Sequence, residues 1–150
     1  YPPRGVRSYG PARGLTYGGM DYPQHADDHV LSLAMIETIP ALEAVERILD
    51  VDELDGIYMG PSDLGLAMGI GHNAWPAKDM ADAVAHVLAA AQRRGKYAGI
   101  FAGSVEMSQA VSAMGYHMVT PGNDAQLLRT AAAIRIDGVR SAAPRAKSGT

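Results

Sequence analysis

Short unbroken apolar runs alternate with longer apolar stripes at helical spacing along most of this chain. Residues 31–37 are the first run, apolar up to a closing acid and bounded by polar positions, as expected of a strand buried on both faces. A period of two places Leu31, Leu33, Met35 and Glu37 on one face. Pro40 suits a first helical turn, and Leu42, Val45, Ile48 and Leu49 follow at helical spacing, with Glu43, Glu46 and Arg47 left for solvent. Residues 55–60 are the next strand, and residues 61–79 the longest gap between predicted elements. Met80, Val84, Val87, Leu88 and Ala91 make a stripe that stops at Gly95, and residues 97–101 are a third strand. Ser104 caps a short helix with Met107, Ala110, Val111 and Met114 inward, ended by Gly115. Residues 116–120 are a fourth strand, and Asn123 or Asp124 caps a last helix carrying Leu127, Leu128, Ala131 and Ile134.

Strict alternation of strand and helix predicts a parallel sheet with right-handed crossovers. Four such units make either an open doubly wound sheet or half of a (β/α)₈ barrel. The chain has no G-x-G-x-x-G turn, which argues against a dinucleotide-binding sheet. Residues 1–30 are rich in glycine, proline and tyrosine and show neither period. They are expected to be a long loop or the end of a preceding unit, with Arg4, Arg7 and Arg13 as their cations. The tail SAAPRAKSGT, residues 141–150, lacks core-forming side chains and is expected to be disordered, which leaves 1–140 as part of a single domain.

Length and composition narrow the chemistry. A chain of 150 residues suits one domain with a real core. Its net charge of −3 gives no electrostatic reason to expect nucleic acid or an anionic membrane. With no cysteine, disulfides, thiolate catalysis and Cys-ligated zinc are excluded. No apolar run approaches the ~20 residues of a membrane span and no signal peptide opens the chain, which is compatible with a cytoplasmic protein. The chain begins at Tyr1, and a piece of something longer is expected.

Two acids stand at strand ends: Glu37 closes the first strand and Asp63 lies just past the second. Parallel strands finish at the same edge, so both carboxylates can converge there, an arrangement that hard divalent cations favour. Such a pair suits the C-terminal rim of a barrel, where those folds keep their chemistry. The segment HADDH carries His25 and His29, but its proline- and glycine-rich surroundings are not expected to build the helix that would align them for zinc. His86 and His117 read as ordinary surface or strand histidines, and Arg7 as a salt-bridged loop residue.

The runs MIET at 35–38, DGIYMGPSDLGLAMG at 55–69 and YPPRGVRSYG at 1–10 resemble the HpcH/HpaI aldolase family, as do G-K-x-x-G-I at 95–100 and the final VTPGNDAQLL. The resemblance covers residue 1 to about residue 134 and matches strands five to eight of a (β/α)₈ barrel, the second half only. It implies a metal-dependent carbon–carbon lyase, a class II aldolase, that acts on 4-hydroxy-2-oxo acids through a pyruvate enolate. Implied with it are Mg²⁺ or Mn²⁺, with Co²⁺ as a further candidate, held by Glu37 and Asp63. The partners implied are a small 2-oxo acid and an aldehyde, and the assembly a homo-oligomer with C-terminal helices exchanged between neighbours. Gly60, Pro61 and Ser62 are implied to present backbone N–H groups to the substrate carboxylate. Met35 departs from the glutamine that many relatives carry beside the bound oxo acid; it either faces the site or fills the barrel. His72 and Trp75 fall in a loop that rims the site in the family. The histidine base and the arginine that the family uses belong to the first half, so no catalytic residue is assigned within these 150 positions. Two alternatives stand beside an aldolase: a metal-dependent 2-oxo acid decarboxylase or enolate-trapping synthase, and a non-catalytic half barrel serving as a binding or assembly module.

Overall fold

A computed structural model of the chain describes residues 1–3 and 5–142, which fall into two compact units, residues 1–32 and 33–150. In the first unit the loop expectation does not hold: residues 1–30 include two short helices, α1 (Ala12–Gly18) and α2 (Tyr22–His29), which the other expectation, the end of a preceding unit, allows. Glycines explain the close approach of these helices and their invisibility in the hydropathy pattern. A Cβ on Gly14 or Gly18 would lie 2.4 or 2.7 Å from the Tyr22 side chain, so the ring fills space that only glycine leaves open. Contact here comes from an absent side chain, and no apolar stripe marks it. Pro23 starts α2, where a missing N–H costs nothing. His25 and His29 therefore do stand one turn apart on a helix, against expectation. His25 Nδ1 lies 3.6 Å from Asp28 Oδ2, and no group of three or more His, Asp or Glu side chains suited to a metal forms among the described residues. Arg7 lies 5.9 Å from the Tyr1 ring centroid, a cation–π contact, and Arg4 lies outside the described residues.

The second unit is a four-stranded parallel sheet with helices. Its elements are β1 (Leu33–Ile36), α3 (Ile39–Glu43), α4 (Val45–Leu49), β2 (Gly56–Met59), α5 (Pro61–Ala67), α6 (Lys78–Arg93), β3 (Tyr97–Phe101), α7 (Val105–Met114), β4 (Met118–Thr120) and α8 (Asp124–Ala142). The strands lie in sequence order, β1-β2-β3-β4, each parallel to the next. A doubly wound sheet reverses its order at a switch point; this one never does. Right-handed crossovers in one direction place all the connecting helices on one face, which is the construction of a barrel wall.

Burial follows that construction. On the helix-covered face Ile36, Ile57, Met59, Ala98 and Ile100 have no exposed surface, and α6 adds Met80, Val84, Val87 and Leu88 to the same core. Each fully buried Ile, Val or Met side chain contributes about 1.5–3 kcal/mol. On the opposite face Met35, Tyr97 and Met118 are 52%, 55% and 44% exposed. That open face has its own rows. Met35, Tyr58, Gly99 and Met118 are neighbours across the four strands. A Cβ on Gly99 would lie 2.7 Å from the Tyr58 ring. Tyr58 therefore passes over Gly99, and its hydroxyl donates to Thr120 Oγ1 at 2.8 Å.

Local chemistry sets the helix ends. Thr38 accepts from Ala41 N–H and starts α3, and the single helix expected over 40–49 breaks at Ala44 into α3 and α4. At that break the Ala44 N–H is shared between the carbonyls of Pro40 and Leu42. Arg93 and Arg94 pair with Glu46, and Arg94 with Asp50 at 2.7 Å, tying α6 to α4. The two guanidiniums hold the Glu46 carboxyl below its ordinary range. Ser104 accepts from Met107 N–H at the start of α7, and Gly115 ends it at φ +105°, as expected. The gap expected over 61–79 is partly helical: α5 occupies 61–67, with Pro61 in its first turn. Every described side chain of α8 is exposed, its apolar Leu127, Leu128 and Ile134 included. Ser141 and Ala142 continue α8, and the rest of the expected disordered tail lies outside the described residues.

Candidate active site

The C-terminal edge of the sheet gathers the expected residues. Glu37 follows β1, and the ladder runs one step past it, with Gly60 N–H donating to Ile36 O at 3.0 Å. A Cβ on Gly60 would lie 3.0 Å from Glu37 Oε2 and 3.1 Å from Glu37 Cβ. The half-buried glutamate thus lies across bare backbone. Asp63 stands three residues beyond Gly60 in the first turn of α5, exposed. Glu37 and Asp63 both line one cavity of about 270 Å³, with Met35, Tyr58, Gly60, Pro61, Ser62 and Phe101 as the other lining residues.

Polar groups there are largely uncommitted. Neither Glu37 nor Asp63 forms an ion pair or a side-chain hydrogen bond among the described residues. Two carboxylates line this cavity, no lysine or arginine does, and carboxylate oxygens are the kind of donor that a hard divalent cation takes. Within the Gly60–Pro61–Ser62 turn, Gly60 N–H is already bonded to Ile36 and proline has none. The Ser62 and Asp63 amides are the ones left to face an anion. Met35 lies on the open face in the same lining as Glu37.

Two lining residues escaped sequence reasoning, Tyr58 and Phe101. The period of two, counted back from Gly60 and applied to 97–101, would have placed both on the open face. Their convergence with Met35 also needs the register that pairs Met35 with Tyr58 and Tyr58 with Gly99. His72 and Trp75 line a second cavity beside the first. His86 is exposed on α6. The Nδ1 of His117 accepts from Ala98 N–H at 3.1 Å, near the start of β3 and at the opposite end of the sheet from Glu37.

Comparison with known proteins adds to this geometry. The sequence profile described as HpcH/HpaI aldolase/citrate lyase matches residues 1–131. A hydroxypyruvate/pyruvate aldolase of Rhizorhabdus wittichii is 41% identical over 135 residues, 88% of this chain and 53% of the relative. A 4-hydroxy-2-oxo-heptane-1,7-dioate aldolase of Escherichia coli is 33% identical over 135 residues, covering 88% of this chain and 51% of its own length. Among solved structures, an HpcH/HpaI aldolase/citrate lyase family protein from Burkholderia cenocepacia superposes with a TM-score of 0.78 at 30% identity, over 92% of this chain and 54% of that one. The chain spans about half the length of the curated relatives it matches.

Proposed function

Because the chain belongs to the HpcH/HpaI aldolase/citrate lyase family, we propose that it forms the part of a carbon–carbon lyase site that holds a divalent cation and a 2-oxo acid. Glu37 and Asp63 carry the proposal: a carboxylate just past β1 and one in the first helical turn after the neighbouring parallel β2 share one cavity and meet no cation of the chain among the described residues. Glu37 and Asp63 would hold such a cation, Mg²⁺ or Mn²⁺ by its oxygen ligands, which would supply Lewis acidity to a bound 2-oxo acid. The Ser62 and Asp63 amides face the substrate carboxylate, and Met35, Tyr58 and Phe101 form the apolar wall that limits water. In cleavage of a 4-hydroxy-2-oxo acid the C3–C4 bond breaks, its electron pair passes to C3 and delocalises onto the C2 oxygen. C4 departs as an aldehyde once its hydroxyl proton has gone to a base. No histidine or arginine lines this cavity, and the family resemblance assigns the base and the arginine to the other half of the barrel.

Mn²⁺ titrated into the purified protein and followed by electron paramagnetic resonance tests the site. Glu37→Gln and Asp63→Asn are each expected to weaken binding by at least the ~10- to 100-fold that even outer-shell substitutions produce. Circular dichroism should stay unchanged. Undiminished Mn²⁺ binding in either variant refutes the site.

A further inference from the structure

The hydroxyl of Tyr58 turns away from the carboxylates with which it shares a cavity. Tyr58, Glu37 and Asp63 all line the space of about 270 Å³ at the C-terminal edge of the sheet. A hydrogen bond to a carboxylate is about twice as strong as one between neutral groups. Glu37 nevertheless accepts none from a described side chain, and Tyr58 donates to the neutral Thr120 Oγ1 at 2.8 Å.

Strand register puts both acceptors within the ring's span. Met35 is opposite Tyr58 on β1, so Glu37 is a diagonal neighbour, one strand over and two residues further on. Diagonal neighbours on one sheet face are in reach of an aromatic side chain. On the other side Gly99 is opposite Tyr58, Met118 is opposite Gly99, and Thr120 follows Met118 by two residues. Thr120 is thus two strands away, and the ring reaches it only across the bare backbone of β3. A Cβ on Gly99 would lie 2.7 Å from the Tyr58 ring and 3.0 Å from the Met118 methyl, so ring and methyl fill that gap together. The acceptor stands on fixed backbone, because the Thr120 carbonyl takes the Ala102 N–H at 2.8 Å. Tyr58 and Thr120 are both half-buried, where a hydroxyl without a partner is costly.

Resting on the lyase proposal above, we infer that Thr120 is a positioning residue for its cation site. By accepting the Tyr58 hydroxyl, Thr120 keeps that phenol from donating to Glu37 and leaves the Glu37 oxygens to a cation. Thr120 does not line the cavity and acts through Tyr58. Loss of the Thr120 hydroxyl releases a half-buried phenol, and a charge-assisted bond to Glu37 is then the stronger of the bonds open to it. A carboxylate engaged in that way is a poorer metal ligand, since one of its oxygens is already spent.

Mn²⁺ titration followed by electron paramagnetic resonance, together with ¹³C NMR of the hydroxyl-bearing ring carbon of Tyr58, tests the inference. Thr120→Val keeps the shape and removes the acceptor. It is expected to weaken Mn²⁺ binding about two- to twelvefold, the span of one hydrogen bond. Thr120→Ser should retain wild-type affinity. In a Tyr58→Phe background the same Thr120→Val should cost nothing further, whereas a merely structural role adds its damage in either background. The Tyr58 resonance should move in Thr120→Val, and Glu37→Gln in that background should return it. Thr120→Ala takes the place of Thr120→Val if the latter loses its circular dichroism. Wild-type affinity in Thr120→Val, or an equal loss with and without the Tyr58 hydroxyl, overturns the inference and leaves the cation site standing. Absence of Mn²⁺ binding in the wild type removes the cation site instead. The resonance then decides alone: movement reversed by Glu37→Gln keeps Thr120 as the residue that parts phenol from glutamate, and an unmoved resonance removes that role too.

Discussion

Gly60 lies so close under Glu37 that a side chain there would press the glutamate aside. Glu37 approaches so closely that a methyl group there would meet both its Oε2 and its Cβ near the limit of contact, at 3.0 and 3.1 Å. The glutamate has to give way, because Gly60 backbone is held by Ile36 O. Gly60→Ala is therefore expected to weaken Mn²⁺ binding in the same titration while Glu37 remains present, and to leave the far-ultraviolet circular dichroism intact. Retained affinity in that variant would show that Glu37 reaches its working position by another route. Gly99 sets a parallel constraint: an alanine there collides with Tyr58 at 2.7 Å and parts its hydroxyl from Thr120.

Elements differ in how plainly the chain announces them. The α6 stripe and the Ser104-to-Gly115 limits of α7 are local signals, and both stand where the pattern places them. The three elements that the pattern misses, α1, α2 and α5, meet their neighbours through glycine: Gly14 and Gly18 of α1 against Tyr22 of α2, and Gly65 of α5 against the Gly71 carbonyl. Hydropathy is silent where packing depends on an absent side chain. The site was legible to the same extent. Glu37 and Asp63 follow from strand ends and motif, whereas Tyr58 and Phe101 join them through inter-strand register, which a period of two leaves free. Contacts between elements also make a testable stability claim. Tyr116, just ahead of β4, is buried and donates its hydroxyl to the Val84 carbonyl of α6 at 2.9 Å. Tyr116→Phe should lower unfolding free energy by about 0.5–1.5 kcal/mol in urea at pH 8. Burial pushes this phenol above its ordinary value, so the unfolded chain releases the proton first. The tyrosine's stabilising contribution is thus complete below about pH 10 and declines as pH rises beyond it. At pH 11 the gap between wild type and Tyr116→Phe should shrink, and a gap that widens would contradict the buried, neutral phenol.

At the scale of the molecule, a sheet covered on one face leaves much unfinished. β1 and β4 keep unpaired edges within the described residues, the open face exposes Met35, Tyr97 and Met118, and α8 exposes Leu127 and Leu128. Unpaired parallel edges beside apolar surface invite association. The 150-residue chain is expected to sediment as oligomers or aggregates rather than as a monomer. A monodisperse monomer with cooperative unfolding would identify it as a self-sufficient open-sheet domain. The same sequence-ordered sheet has a consequence for synthesis. Each strand pairs only with its neighbours in the chain, so none has to be inserted between two already in place. On a ribosome that delivers about 5–20 residues each second, the sheet can therefore widen from a single side, each new strand docking on the one made just before it. A nascent chain halted anywhere between β2 and β4 holds a narrower copy of this sheet, never one with a gap.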